Sequence, residues 1–182
     1  HIVMFGKPIG EAPGPTGVLV DGKTQVTIRN GAIQDFQNGI WIKDSSNVIV
    51  GYCNVSGATW SIWIRNSRDV TIVSSIVSGA ADVNIGIERN STRVTLLNNM
   101  VSESTKEAIY LRDSGYNVIS DNTISNNGYG VLMYDVTKSD ITGNMISNNS
   151  QGIYMEMTSQ NNISSNTLLN NPKGMEIRSS TG

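Results

Sequence analysis

The chain repeats a short pattern every 22 to 24 residues along almost its whole length. Each copy holds a small residue, an apolar residue, a variable residue and a second apolar residue, as in Gly39-Ile40-Trp41-Ile42. The six later copies are Ser61-Ile62-Trp63-Ile64, Asn84-Ile85-Gly86-Ile87, Ala108-Ile109-Tyr110-Leu111, Gly130-Val131-Leu132-Met133, Gly152-Ile153-Tyr154-Met155 and Gly174-Met175-Glu176-Ile177. A fixed period of this size is typical of stacked repeat architectures, in which each repeat contacts only its neighbours.

Within a repeat, apolar and polar residues alternate in short bursts such as Val26-Thr27-Ile28 and Val70-Thr71-Ile72. Such alternation with β-branched residues indicates strands that bury one face, and the Asn-, Gly- and Ser-rich segments between them indicate turns. Besides the repeated doublet, two further apolar columns recur: Ile28, Val50, Ile72, Leu96, Ile119, Ile141, Ile163, and Ile33, Val55, Val77, Val101, Ile124, Ile146, Leu168. Each repeat is therefore predicted to contain three short strands.

These features predict an all-β fold, a single-stranded right-handed parallel β-helix (β-solenoid) of about eight coils with three short strands per coil. Met4, Ile9, Val18 and Val20 are expected in the buried columns of the first coil, beside a Gly- and Pro-rich turn. Residues 1–182 are interpreted as one domain. Because an uncapped coil exposes unpaired strand edges, we expect the domain to be part of a longer solenoid or to be capped by a partner.

The net charge, the hydropathy and the single cysteine argue against several classes of partner and ligand. Thirteen basic and 15 acidic residues give a net charge of −2, which argues against binding to nucleic acid through counterion release. No apolar run approaches the roughly 20 residues that a membrane span needs. Cys53 is the single cysteine, so an intrachain disulfide and a cysteine-based zinc site are excluded. No metal site and no other cofactor is predicted.

Asparagine recurs in two columns, one with Asn99, Asn122, Asn144 and Asn166 and the other with Asn127, Asn149 and Asn171. Stacked amides can hydrogen-bond from one strand layer to the next, as they do in cross-β ladders. Because a buried amide without partners costs free energy, such residues act as a set. The columns predict two asparagine ladders inside the turns.

The segment "NTISNNGYGVLMYDVTKSDITGNMISNNSQGIYMEM" resembles the right-handed parallel β-helix repeats of the NosD-like family, also described as repeats of carbohydrate-binding proteins and sugar hydrolases. The resemblance covers nearly the whole chain. Relatives include periplasmic accessory proteins, surface proteins, polysaccharide lyases, hydrolases and epimerases, so the resemblance implies a fold and leaves the function open. An accessory role in the periplasm is one possibility, although no surface cluster of Met, His or Cys supports a copper site.

The outward positions of the third strand carry most of the functional groups. Four rings share one column, Trp41, Trp63, Tyr110 and Tyr154, and the cations Lys43, Arg65 and Arg112 lie beside it. A line of large rings on a soluble surface commonly marks an interaction site. Three interpretations stay open: the stripe is covered by another chain or copy, it stacks on successive sugars of a polysaccharide, or it is a ladder of rings in solvent.

The neighbouring column holds Lys43, Arg65, Glu88, Arg112, Tyr134, Glu156 and Arg178. The simplest interpretation is a solvated ladder that pairs Glu88 with Arg65 and Arg112, and Glu156 with Arg178. The alternative is a lyase-like or epimerase-like site, in which an arginine neutralises a uronate and a tyrosine or arginine moves the C5 proton. His1 is the sole histidine and paired Asp motifs are absent, so no catalytic residue is assigned.

Three intervals between the columns are one residue longer than their counterparts. Val77–Ile85 and Val101–Ile109 span eight positions where the others span seven, and Ile87–Leu96 spans nine where the others span eight. Extra residues in a solenoid turn project from one edge, which is often the binding edge.

Four sequons, at Asn54, Asn90, Asn148 and Asn162, are possible glycosylation sites. The leading hypothesis is a noncatalytic exported β-solenoid module that serves surface structure, assembly or attachment, outside the cell, at its surface or in the periplasm. Its partners are then other protein chains, or copies of itself, that bind through the aromatic face. The alternative is a polysaccharide-binding or carbohydrate-active protein of lyase, hydrolase or epimerase type that acts along the third-strand face.

Overall fold

The computed structural model describes residues 2–5 and 15–181, and these residues form 23 strands and no helix. The strands lie in three parallel sheets, and each full coil contributes one strand to each sheet. The sheets are named here by the order of their strands within a coil: the first-strand, second-strand and third-strand sheets. The fold is therefore the predicted all-β parallel solenoid.

The first-strand sheet contains β3 Thr24–Arg29, β6 Ser46–Gly51, β9 Arg68–Val73, β12 Thr95–Leu97, β15 Val118–Ser120, β18 Asp140–Thr142 and β21 Asn162–Ser164. The second-strand sheet contains β1 Ile2–Phe5, β4 Gly31–Gln34, β7 Asn54–Ser56, β10 Ile76–Ser78, β13 Met100–Ser102, β16 Thr123–Ser125, β19 Met145–Ser147 and β22 Thr167–Leu169. The third-strand sheet contains β2 Thr16–Asp21, β5 Asn38–Lys43, β8 Trp60–Arg65, β11 Val83–Glu88, β14 Glu107–Gly115, β17 Tyr129–Thr137, β20 Gln151–Glu156 and β23 Lys173–Arg178.

The core consists of the predicted apolar columns. Strand register places like residues together, for example Val50 beside Ile72 and Ile72 beside Leu96. These side chains are fully buried. In the first coil Met4 pairs with Ile33, and Val18 and Val20 pair with core residues of β5, as predicted. Ile9 and the Gly- and Pro-rich turn lie outside the described residues.

Residues with positive φ bend the chain at the corners of each coil. They include Asp44, Asn66 and Asn90 just after the third strand, and Asp113 and Asp135 within the longer strands β14 and β17, with φ between 45° and 62°. Asn and Asp adopt this left-handed region more readily than other non-glycine residues, because their short polar side chains bond locally. This agrees with the prediction that turns separate the short strands of each repeat.

Both asparagine ladders form as predicted. Oδ1 of Asn144 accepts from the backbone N–H of Asn122 at 2.9 Å and from its Nδ2 at 3.0 Å, and the same pair of bonds links the other members. Toward the N-terminus Ser75 and the buried Cys53 continue one ladder, since Cys53 N–H donates to Ser75 Oγ at 3.2 Å. The first ladder therefore connects six coils, from the buried Cys53 to Asn166, and the second connects four, from Ser104 to Asn171.

The last coil is less well covered than the rest of the core. Ile163 and Leu168 are half-buried, whereas Met175 and Ile177 are 41% and 57% exposed. Their counterparts one coil earlier are buried. The placement of residues 1–182 in one domain, continued or capped by something else, stays a prediction.

Candidate functional site

The candidate site lies on the outer face of the third-strand sheet. Register places Trp41 beside Trp63, Trp63 beside Gly86, and Gly86 beside Tyr110, and Leu132 lies between Tyr110 and Tyr154. The four predicted rings thus share one line across the coils, and each is half-buried.

A fifth ring, which the sequence reasoning missed, belongs to this line. Trp60 begins β8, and its ring lies over Gly86, where an added Cβ would meet Trp60 Cζ3 at 2.6 Å. Its centroid is 4.9 Å from that of Trp63, and Trp63 stacks on Trp41 at 5.1 Å with an interplanar angle of 16°. The glycine in a column of large residues was the available signal, because an outward glycine leaves a space for a neighbouring ring. Three tryptophans therefore form one continuous row.

The stacking changes how the row can meet a ligand. Two rings whose centroids are 5.1 Å apart leave no space for a sugar ring between them. Lys43 lies over the Trp41 ring at 5.3 Å and Arg65 over the Trp63 ring at 4.6 Å. Such cation–π contacts stabilise the row from its own side chains. Further along the face, Arg112 lies over the Tyr134 ring at 5.4 Å and Arg178 over the Tyr154 ring at 5.7 Å.

Next to the tryptophan row is an open cavity of about 410 Å³, called here the aromatic groove. Its lining residues are Trp60, Asp82, Val83, Lys106, Glu107, Tyr110, Arg112, Leu132, Tyr134, Tyr154 and Glu156. Leu132 is shorter than the flanking tyrosines, so the surface dips between Tyr110 and Tyr154. From β8 to β20 the groove crosses four interstrand spacings, about 19 Å. It is long enough to hold an extended chain.

Most charged side chains of the groove form salt bridges or hydrogen bonds with neighbouring side chains. Lys106 Nζ lies 2.6 Å from Asp82 Oδ1, and the Tyr154 hydroxyl donates to Glu156 Oε2 at 2.6 Å, which raises the pKa of Tyr154. Burial, and then the nearby Asp82 carboxylate, raise the pKa of Glu107. Burial also raises the pKa of Tyr110. The groove is thus an aromatic surface with a few fixed polar groups.

A second cavity, of about 550 Å³, lies on the other side of the tryptophan row and is called here the basic cleft. It is lined by Trp41, Lys43, Asp44, Arg65, Asn66, Arg89 and Asn90. Three of these residues are cations and one is an anion. Asp44 Oδ1 accepts from Asn66 Nδ2 at 2.6 Å, and Lys43 Nζ lies 2.9 Å from Asp21 Oδ2.

The predicted ladder of salt bridges is wrong. Register does place Arg65 beside Glu88 and Glu156 beside Arg178, but neither pair forms an ion pair within residues 15–181. Glu88 instead accepts from Trp63 Nε1 at 2.9 Å, and Arg178 pairs with Glu176 on its own strand at 2.6 Å. Strand register brings Cα atoms together, but nearer aromatic and polar groups then compete for the charged ends.

The three one-residue insertions lie at the two cavities. The longer turns before β11 and β14 contain Asp82 and Lys106, which line the aromatic groove. The longer corner after β11 contains Arg89 and Asn90, which line the basic cleft. The extra residues therefore project beside the third-strand face, as expected, and they supply groups that the sequence reasoning did not assign to the site.

Of the predicted binding residues, Tyr110, Tyr154 and Arg112 line the aromatic groove, and Trp41, Lys43 and Arg65 line the basic cleft. Trp63 lies between the two cavities in the tryptophan row. The sequence reasoning missed Tyr129 as well as Trp60; the Tyr129 ring meets Tyr154 edge-on at 6.1 Å. The four sequon asparagines Asn54, Asn90, Asn148 and Asn162 are all exposed, and their glycosylation stays a prediction.

The fold and this face define a parallel β-solenoid with an aromatic outer surface. A family model described as "Periplasmic copper-binding protein (NosD)" matches residues 6–182, so the chain belongs to the NosD family. No curated protein matches the chain. Among the described residues there is no helix of the length and hydropathy that crossing a bilayer requires.

Solved structures share the fold at low sequence identity. A periplasmic alginate epimerase, AlgG, is 15% identical with a TM-score of 0.73, over 91% of this chain and 47% of that one. The A-module of the mannuronan C-5 epimerase AlgE4 of Azotobacter vinelandii is 10% identical with a TM-score of 0.64, over 84% of this chain and 62% of that one. The enzymatically active domain of tailspike protein 2 of bacteriophage CBA120 is 11% identical with a TM-score of 0.63, over 91% of this chain and 38% of that one. This chain spans less than two thirds of the length of each of these three structures. At these identities the similarity shows a shared fold.

The family description raises the question of copper. A copper site in a protein uses converging imidazole, thiolate or thioether ligands. Cys53 is buried, and the exposed Met100 and Met145 are separated by the strand of Thr123. Within residues 15–181 no three His, Cys, Asp or Glu side chains are grouped to hold a metal ion. The described residues therefore do not fit a copper centre.

Proposed function

We propose that the chain is a noncatalytic module of an exported protein that attaches to a polysaccharide along its third-strand face. The observation that carries the proposal is the aromatic groove, whose rings and polar groups lie along one line across five strands. Sugars combine apolar C–H faces with hydroxyl groups, so a surface of rings with interspersed polar groups suits them. The NosD family description, which is that of a periplasmic protein, supports export.

The arrangement of charges supports binding in place of catalysis. A glycosidase needs two carboxyl groups free to act on opposite sides of one bond. In the groove Asp82 is paired with Lys106 and Glu156 accepts from Tyr154. Glu107 is the remaining lining carboxyl group, and it has no second free carboxyl beside it in the lining. The described groove thus offers positioning groups without the pair of free carboxyl groups that a glycosidase needs.

The proposal is tested by measuring the affinity of the folded chain for polyuronates, sulfated glycans and neutral glucans by calorimetry. Replacing Tyr110 and Tyr154 together by Ala removes two rings of the groove and is expected to weaken binding about tenfold or more. Tyr52→Ala is the matched control, because Tyr52 is exposed and lies outside the lining of both cavities. Binding that is unchanged in the double variant contradicts the proposal.

Two further results of the same experiment would also overturn it. If Trp41 and Trp63 are replaced by Ala and the chain changes from oligomer to monomer without loss of glycan affinity, the face serves assembly. If a polyuronate is turned over and Arg112→Ala abolishes the turnover, the module is an enzyme. The oligomeric state is measured by sedimentation, and turnover by the release of shorter or altered products.

A further inference from the structure

We infer that the basic cleft is an anion subsite, which binds a carboxylate or sulfate group of the glycan. The inference rests on the proposed function, and it adds the chemical class of the ligand: a polysaccharide with negative charges. Two independent observations on the cleft lead to it.

The first observation is an excess of cations over anions in the lining of the cleft. Lys43 is paired with Asp21, and Asp44 accepts from the neutral amide of Asn66 and is the one carboxylate in the lining. Arg65 and Arg89 have no ion pair within residues 15–181, although both line the same cavity. Arg89 lies on the corner that is longer by one residue, so the insertion places a guanidinium at the rim of the cleft. Guanidinium groups bind carboxylate and sulfate oxygens through paired N–H donors.

The second observation is a hydrogen-bond donor without an acceptor. Nε1 of Trp41 is shut off from solvent and has no hydrogen-bond partner. Its neighbour one coil further, Trp63, donates from Nε1 to the carboxylate of Glu88 at 2.9 Å. Glu88 stands one coil beyond Trp63, and the equivalent position one coil beyond Trp41 is Arg65. The protein thus provides a carboxylate acceptor for the Trp63 N–H, whereas a guanidinium group stands at the equivalent position for Trp41.

A ligand anion completes this arrangement. An oxyanion held by Arg65 occupies, relative to Trp41, the place that the Glu88 carboxylate occupies relative to Trp63, and a small shift of the rings lets the Trp41 N–H donate to it. A buried donor without an acceptor destabilises the free protein, so the anion relieves an existing cost as well as pairing with Arg65 and Arg89. The glycan chain then continues past the tryptophan edges toward Arg112 in the aromatic groove.

The test uses three soluble oligosaccharides of equal length. They are an oligogalacturonate, its neutral form with the carboxyl groups reduced, and that reduced form after sulfation. Arg65→Gln is expected to weaken binding of a charged oligomer about 10- to 100-fold. Arg89→Gln, an exposed change that is safe for folding, is expected to weaken it several-fold. Arg29→Gln, on β3 and outside the cleft, is the control and leaves affinity unchanged.

Trp41→Phe supplies a readout that a structural role alone would not produce. It replaces the indole by a smaller phenyl ring, which keeps an aromatic group beside Trp63 and removes the orphan N–H. The affinity for the charged oligomers is expected to fall while the affinity for the neutral form is kept. An equal loss of affinity for charged and neutral oligomers, measured by calorimetry, contradicts the assigned role of this N–H.

The outcomes separate the subsite from the proposed function. Preference for the oligogalacturonate or for the sulfated oligomer over the neutral form, lost in Arg65→Gln, supports the subsite and identifies the anion. If the neutral form binds as well as the charged ones, and only the Tyr110 and Tyr154 variant loses affinity, the subsite is overturned and glycan attachment stands. If the wild-type chain binds none of the oligomers, the subsite is overturned, and glycan attachment is overturned as well when no polyuronate, sulfated glycan or neutral glucan binds.

Discussion

At the scale of single residues, asparagine contributes in two distinct ways. In the left-handed corners, Asn66 and Asn90 adopt a backbone conformation that most side chains disfavour. In the ladders, Asn122 and Asn144 are buried and satisfy both backbone and side-chain donors of adjacent coils. The same residue type therefore sets the turn geometry at one position and links coils at another.

Asn144→Ala tests the ladder. The change removes the side-chain acceptor of the buried Asn122 backbone N–H, one of the three acceptors of Asn122 Nδ2, and the bond from Asn144 Nδ2 to the Ile119 carbonyl. We expect the free energy of unfolding to fall by about 2–4 kcal/mol. Asn54→Ala, at an exposed strand position, is the control and is expected to change it by less than about 0.5 kcal/mol. Equal unfolding midpoints in urea for the two variants would show that the amides are not energetically linked.

At the scale of strands, one glycine determines the shape of the outer face. Gly86 lies on β11 between Trp63 and Tyr110 in the same outward column, and the ring of Trp60 from the adjacent strand fills the space that a side chain would occupy. Trp60 in turn forms the end wall of the aromatic groove. The groove therefore depends on a residue of β8 and on the lack of a side chain on β11.

Gly86→Ala tests this dependence. The new methyl group would lie 2.6 Å from Cζ3 of Trp60, so the ring must turn away from the groove while the backbone, which has no positive φ here, stays in place. We expect an altered near-ultraviolet circular dichroism of the coupled indoles and weaker glycan binding, with β structure retained. Gly174→Ala is the control, since its Cβ would meet no atom within 4 Å. Identical near-ultraviolet spectra for Gly86→Ala and wild type would contradict the position of Trp60.

At the scale of the whole molecule, the fold is a linear stack whose stability is a sum of neighbouring contacts. The middle coils bury their core side chains completely, whereas the last coil leaves Met175 and Ile177 exposed. The fold and the family do not determine the function, because a solenoid of this kind supports many functions. The function depends on the side chains of its outer face. The two cavities on the third-strand face are where this chain differs from a regular repeat.

Hydrogen exchange tests the graded stability of the stack. Amides of β11, β14 and β17 are expected to exchange most slowly, because both neighbouring coils cover them, and amides of β21, β22 and β23 most rapidly. Mass spectrometry of peptides from exchanged protein gives the protection of each coil. Uniform protection from end to end would indicate one cooperative unit, contrary to this expectation.

Much of the inner structure was predictable from particular residues. Ile72, Leu96 and Ile119 recur at steps of 24 and 23 residues, and each is fully buried on the inner side of its strand. The Asn ladders follow from the same register, because their partners are backbone groups whose positions the coil determines. The insertions near Asp82 and Arg89 were visible as irregular intervals, although the cavities beside them were not.

The sequence by itself determined the coil, its three strands, its buried columns and its ladders, because parallel register allows inward groups a single arrangement. Only the tertiary structure decided the outer face: that Trp60 covers Gly86, that Glu88 binds Trp63 in preference to Arg65, and that the Trp41 N–H is left without an acceptor. An outward side chain can contact several neighbours, and the free energies of these alternative contacts differ by about 1 kcal/mol or less. The spacing of residues along the chain does not indicate which contact forms.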